Sequence, residues 1–495
     1  MDQDGDGLVE KIELAIIIPD EPTTEELVLA SEIAARINLE SLALNFDLVF
    51  KESEIREFSQ LKNPVLIGSR LKLSKEILKE KNFYRPELKA NQGLVAIFSH
   101  QSHQGILCLG GSQASLMKTG RAFFLRWPYL WEIWGRQSGF TWGRLENDLE
   151  TFFKKEKINC QRTIISGLLY TFPPDSEPTT GLNSLNFKSL GEITSMTVEL
   201  NFADDRNLEK ACSSLSLLAE QRKRGQRTDI LAYPACAGIE FLLKSGQKQE
   251  KLILKRPGSS KRLLTPAFKE IPRVPEKPKQ FDLTEIFSSR GIYVDRNQDG
   301  INDGLDSAVI IPAEFSNRNL PLLTTRLMLE TAGGTFPVIY LDSEVENKKT
   351  LVAPILIGQN ILTEELIKTG QIKLPSLAPS EGIIKLVSAA PGFSDSVVIT
   401  SPTPEGLGAI LKYFSQTFPY LSEFKKGQPE ISWLKEDLGK FLAGSYGAAE
   451  AYFEIELRDQ LKKLSHQKLE KLELMVSLPE ENPDYQQDLE RYLKA

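Results

Sequence analysis

Asp295-Arg-Asn297-Gln-Asp299-Gly300-Ile301-Asn-Asp303-Gly-Leu-Asp306 runs almost directly into Ala308-Val-Ile-Ile311, and that junction decides the fold. Oxygen-bearing side chains fall at positions 1, 3, 5, 9 and 12 of this stretch, with glycine at position 6, where the chain must turn sharply. Ala308–Ile311 is a short apolar run rich in β-branched residues, the pattern of a buried strand. The same junction stands at the N-terminus. There Asp2, Asp4, Asp6, Leu8, Glu10 and Glu13 repeat the spacing around Gly7, and the chain passes into Ile12-Glu-Leu-Ala-Ile-Ile-Ile18. Two such junctions predict two α/β units built on one plan.

The ligand spacing is that of an EF-hand loop. Calcium is a hard cation that takes about six to eight oxygens. Asp295, Asn297, Asp299, Asp303 and Asp306 would supply side chains and Ile301 a carbonyl. Asp2, Asp4, Asp6, Glu10 and Glu13, with the Leu8 carbonyl, make the matching set. An EF-hand loop joins two helices, whereas these loops lead into strands. They therefore resemble the Asp-rich calcium loops of dockerin and thrombospondin-type repeats, which implies a structural calcium ion and not a sensing switch. The competing reading is an acidic turn, because Asp, Asn and Gly favour turns without any metal.

Further landmarks repeat in the same order. Pro19 matches Pro312, at the same shift of 293 residues that relates Asp6 to Asp299. Pro64-Val-Leu-Ile-Gly68 returns as Pro354-Ile-Leu-Ile-Gly358, and Trp127-Pro-Tyr-Leu130 as Phe418-Pro-Tyr-Leu421. Leu145, Asp148, Leu149 and Phe152 return as Leu434, Asp437, Leu438 and Phe441. An internal duplication accounts for this order. Within each copy strands and helices alternate. Thr23-x-x-Glu26 is a capping box for a helix whose face carries Leu27, Ala30, Ala34 and Ile37. Leu42 to Phe50 alternate as a strand, 94–98 and 105–109 form a hairpin, and a helix spans about 112–127. The second copy repeats strands at 383–387 and 397–399 and a helix over 405–417.

The expected fold is therefore α/β (α+β): a duplicated layered α/β domain separated by a smaller α+β domain. The boundaries are 1–155 for the first copy, 156–280 for the small domain, 281–445 for the second copy and 446–495 for an incomplete second α+β unit. The small domain reads as strand 193–200, helix 207–223 and strands 229–233 and 239–243, ending at a linker with Pro272, Pro275 and Pro278. The segment from Leu472 resembles its opening, so a piece of a longer protein is expected.

Composition narrows the function. The 495 residues are 41% hydrophobic, enough for several ordinary cores. A net charge of −7 argues against a general nucleic-acid binder, and Arg222, Lys223, Arg224 and Arg227 read as a solvated basic face. No apolar stretch approaches membrane-spanning length, and Met1 leads directly into the first loop without a signal peptide. Calcium modules of this kind bind at about 10⁻⁴–10⁻³ M, which points to a secreted or periplasmic setting. Cys108, Cys160, Cys212 and Cys236 lack metal-site spacing; a Cys212–Cys236 bridge and free thiols both fit.

Catalytic signatures are scarce. His100-Gln-Ser-His103 falls in a turn between two strands and has no acidic third ligand nearby in sequence, so a polar hairpin tip is its default reading. GxSxG, HExxH, Walker-A and GxGxxG patterns are absent. Trp127, Trp131 and Trp134 recur at helical spacing, the usual pattern of core packing. Trp131 and Trp134 have no aromatic counterparts in the second copy, which makes them the candidates for a sugar-binding surface.

The strand-helix-strand order, Pro64-Val-Leu-Ile-Gly68 and Val397-Val-Ile-Thr-Ser-Pro-Thr-Pro-Glu-Gly406 resemble two extracytoplasmic families. One is the non-catalytic N-terminal domain of bacterial hexosaminidases and α-glucuronidases; the other is the periplasmic subunit of bacterial cellulose synthase. The resemblance implies a non-catalytic module associated with polysaccharide or the cell envelope, and neither family's catalytic residues carry over. The alternative is an extracellular hydrolase, peptidase or glycosidase, or the accessory part of one.

Overall fold

The computed structural model describes residues 9, 11–41, 46–58, 61–80, 87–100, 103–124, 142–172, 192–223, 238–246, 248–255, 279–334, 336–345, 352–388 and 394–416. The chain divides into two compact units, Met1–Lys412 and Tyr413–Ala495, and the described sheets are those of the first. Its fold is mixed α/β.

Strand β1 (Ala15–Ile18) lies parallel between β2 (Val49–Lys51) and β3 (Pro64–Ile67). β3 continues parallel to β5 (His103–Gly110), which pairs antiparallel with β4 (Gln92–His100). Every residue of β1 and β3 is buried, as a strand covered on both faces requires. Helix α1 (Thr24–Leu39) starts at the expected capping box: Thr23 Oγ1 accepts from the Glu26 N–H, and the Glu26 carboxylate accepts from the Thr23 N–H. Its buried residues include Leu27, Val28, Leu29, Ala30, Ile33, Ala34 and Ala35, so it is covered on nearly every side. After the short helix α2 (Lys72–Ile77), α3 (Gln113–Phe124) packs on α1. A Cβ at Gly120 would lie 2.3 Å from the Leu29 side chain, so glycine is what permits that approach.

The boundary expected at 155/156 falls inside one continuous sheet. After α4 (Trp142–Lys155), β6 (Cys160–Thr171) pairs antiparallel with β4. β7 (Glu192–Phe202), β8 (Gly238–Ser245) and β9 (Lys248–Lys255) carry the sheet to nine strands, in the order β2-β1-β3-β5-β4-β6-β7-β8-β9. The cause is β4 itself. Left as an edge it would present a row of unpaired backbone groups, and β6 satisfies them. Helix α5 (Asp205–Lys223) covers β7–β9 through Leu208, Ala211 and Leu215. The strand expected at 229–233, the proline linker and the unit at 446–495 lie outside the described residues.

The second half repeats the strand order of the first. A small hairpin of β10 (Tyr293–Val294) and β11 (Gly304–Leu305) leads into β12 (Val309–Ile311), parallel between β13 (Ile339–Leu341) and β14 (Ile355–Ile357). β14 lies parallel to β16 (Ser396–Thr400), which turns back on β15 (Ile383–Val387). Its helices are α6 (Leu320–Leu329), α7 (Ile361–Lys368) and α8 (Pro404–Gln416). The order β13-β12-β14-β16-β15 matches β2-β1-β3-β5-β4. Fine details match too. β3 and β14 end in left-handed glycines, Gly68 (φ 89°) and Gly358 (φ 69°), whose N–H groups donate to Cys108 O and Ile399 O.

The two halves meet through α1 and α6. Thr324 Oγ1 donates to Ser31 O at 2.9 Å, and Phe315 N–H donates to Thr24 Oγ1 at 2.9 Å. No helix among the described residues is long and apolar enough to cross a membrane.

Candidate metal centre

The second acidic loop is the turn of the β10–β11 hairpin, so strands flank it on both sides. Its side chains fold back on its own backbone. Asp295 accepts from Gln298 N–H (2.7 Å) and Gly300 N–H (2.9 Å), and Asp299 Oδ1 accepts from Ile301 N–H at 2.8 Å. Asn297 Oδ1 accepts from Asp299 N–H at 3.1 Å, and Asp303 Oδ2 from Arg296 N–H at 2.6 Å. Gln298 (φ 60°) and Gly300 (φ 87°) provide the left-handed turns. A Cβ at Gly300 would meet nothing within 4 Å, so backbone conformation, not space, calls for glycine there.

Position 12 stands apart from the rest. Asp306 follows β11, and its Oδ2 is buried without a hydrogen bond, the Lys279 ammonium lying 3.7 Å away. Lys279 also donates to Tyr293 O. The loop is tied to the C-terminal end of α6: Asn302 Nδ2 donates to Glu330 O at 2.8 Å, and Thr331 Oγ1 to Asn302 O at 3.0 Å. Tyr293 reaches the same helix, its hydroxyl donating to Leu327 O at 3.1 Å, and burial pushes that phenol well above its ordinary value. Lys279 and Asn302 were not legible as parts of this site; Lys279 is remote in sequence and carries no local signal.

All candidate donors are oxygens, which fits a hard cation. In this conformation their carboxylates serve loop amides, and each oxygen retains a second lone pair. Among the described residues, no three His, Cys, Asp or Glu side chains are grouped to hold an ion. In the first loop, Asp2, Asp4, Asp6, Leu8 and Glu10 lie outside the described residues. Glu13, at position 12, is bound by Lys11 and Lys62, each at 2.8 Å. The hydrogen bond from Lys11, with that from Lys62, holds its carboxyl down from 4.5 to about 2. In both copies, then, lysine sits beside the position-12 carboxylate.

The other candidates resolve differently. His100 does have an acidic neighbour: its Nδ1 lies 2.5 Å from Glu80 Oε1, and Phe58 stands edge-on to its ring at 5.5 Å. The pairing escaped sequence reasoning because Glu80 is 20 residues upstream. Trp131 and Trp134 lie outside the described residues. Cys108, Cys160 and Cys212 are free thiols, and burial pushes Cys108 up to about 12. Burial also raises two carboxyls, Glu32 and Glu330, but each is held by an arginine, Arg121 at 2.8 Å and Arg326 at 2.5 Å. Arg326 in turn stacks on the Phe287 ring at 4.2 Å. No family model matches this chain, and a comparison with curated proteins finds no match.

Proposed function

We propose that this chain is a non-catalytic module of a secreted or periplasmic multidomain protein, tied by calcium at the opening of each α/β half and associated with polysaccharide or the cell envelope. The observation that carries the reading is the all-oxygen donor set on one exposed hairpin turn, with Asp306 Oδ2 buried and without a hydrogen bond at its foot. Asp295, Asn297, Asp299, Asp303, Asp306 and the Ile301 carbonyl would hold the ion; Asp2, Asp4, Asp6, Glu10, Glu13 and the Leu8 carbonyl would form the equivalent set. The ion would neutralise carboxylates that otherwise repel, and so stiffen the turn that feeds β12. The hydrolase alternative draws no support from Glu32 and Glu330, because a carboxyl engaged by arginine is poorly placed to act as a general acid.

The test is thermal unfolding with calcium or with chelator. At tenfold excess over the dissociation constant one site adds about 1.4 kcal/mol to its unit. Asp295→Asn with Asp299→Asn should abolish the second loop's share. An unchanged melting curve at millimolar calcium, with no bound calcium by elemental analysis, would remove the central claim. Sedimentation with insoluble cellulose or peptidoglycan tests the association, and turnover of peptide or glycoside substrates by the purified chain would reinstate the hydrolase.

A further inference from the structure

We propose that the Glu32–Arg121 pair acts as a substitute strand: it closes the outer edge of β13 where the two halves dock, and so keeps that edge from taking a strand of a second copy of this chain.

The geometry is that of a β-bridge made by side chains. Val309 N–H donates to Val338 O, so β13 turns the N–H and C=O of Ile339 outward, away from β12. β13 is the last strand on that side of its sheet among the described residues. Glu32 on α1 and Arg121 on α3 meet in a two-bond pair, with Nε to Oε2 at 2.8 Å and Nη2 to Oε1 at 3.0 Å. The pair then offers one donor and one acceptor to the same strand residue. Arg121 Nη2 donates to Ile339 O at 3.0 Å, and Ile339 N–H donates to Glu32 Oε1 at 3.4 Å. Glu32 is fully buried, so water cannot serve the strand there. A planar guanidinium can hold a carboxylate and a carbonyl at once, which an ammonium cannot do with the same geometry.

The duplication shows that this device belongs to one side only. Ser31 and Thr324 occupy equivalent positions, 293 residues apart, and they touch, so equivalent parts of α1 and α6 face each other as at a local twofold axis. At that shift Glu32 becomes Thr325, and at the shift of 291 residues that relates Trp127 to Phe418 Arg121 becomes Lys412. Thr325 Oγ1 is buried without a hydrogen bond, and Lys412 is exposed. The docked helices are shared between the halves; the edge closure is particular to β13.

Hydrogen exchange on the full chain tests this. Arg121→Lys keeps the charge pair but loses the contact to Ile339 O, and Glu32→Leu with Arg121→Met also removes the acceptor of the Ile339 N–H while keeping the volume. In the double variant, which takes away the acceptor of the Ile339 N–H, that amide should exchange at least about tenfold faster, while amides of α1 and α6 change little; in Arg121→Lys the Ile339 carbonyl carbon shift in NMR should move as its donor is lost. Light scattering at rising concentration should show self-association of the double variant, with wild type monomeric, and Ile339 protected again in the associated form. Unchanged Ile339 exchange in a folded double variant, or an Ile339 carbonyl shift unmoved in Arg121→Lys, would overturn the proposal. So would self-association of wild type under the same conditions, or an associated form that leaves Ile339 unprotected.

Discussion

The two α/β halves share a strand order and differ at the two ion pairs that bury carboxylates of α1. In the first, Glu26 caps α1, is fully buried and is bridged by Arg70; in the second, the equivalent positions are Asn319 and Asn360. Asn360 caps α7, accepting from Thr363 N–H at 2.9 Å, and donates to Ile357 O at 3.2 Å. Glu32 and Arg121 likewise give way to Thr325 and Lys412. Backbone plan and polar chemistry have thus separated. Buried apolar strands and left-handed turns set the plan, and either ion pairs or neutral amides satisfy the groups it buries.

The largest difference between the halves is expected at Glu32, which is fully buried. Arg121→Met leaves the Glu32 carboxylate unpaired and should cost about 3–5 kcal/mol in urea unfolding. Lys412→Met, the matching change on the exposed side, should stay within about 0.5 kcal/mol; equal losses would end the idea that the halves differ here. Next come the paired glycines. A Cβ at Gly68 would lie 2.6 Å from Glu26 Oε1, whereas at Gly358 the nearest atom is 3.7 Å away. Gly68→Ala should therefore cost about 2–3 kcal/mol and Gly358→Ala about 1 kcal/mol, from conformation alone, and a reversed order in thermal melts would refute the assignment. Smaller still, Thr23→Ala should lose about 1 kcal/mol as a helix cap. Asn360→Ala should lose somewhat more, because its amide also serves Ile357 O.

The smallest effect concerns pH. Glu13 is lowered from 4.5 to about 2 in the folded chain, so its contribution is present above pH 4.5 and is lost as pH falls towards 2. Lys11→Met with Lys62→Met should move its titration, followed by carboxyl NMR, back towards 4.5. A Glu13 midpoint that ignores both lysines would show that they do not hold it.

Much of the plan was legible because it is local. The Thr23/Glu26 box, the buried Pro64–Ile67 strand and the loop glycines each announce themselves within a few residues. The period of α1 marks Leu27, Ala30 and Ala34 as inward and leaves Glu32 on a face that reads as solvated. Its burial depends on Arg121, 89 residues on, and on a strand of the other half. β6 was missed for a similar reason: its place is set by the edge that β4 offers, which no local pattern encodes. The EF-hand spacing predicted ligand positions but not the hairpin, because β10 and β11 are two residues each, too short to show a period.

The nine-stranded sheet carries a consequence for how the chain comes apart. Pairing of β4 with β6 joins strands β1–β5 to strands β6–β9 through shared backbone hydrogen bonds, so neither set can melt without exposing the other's edge. Strands β1–β9 should therefore unfold as one cooperative block. A protease cut between α4 and β6 would leave the two pieces associated, as a nicked but folded sheet.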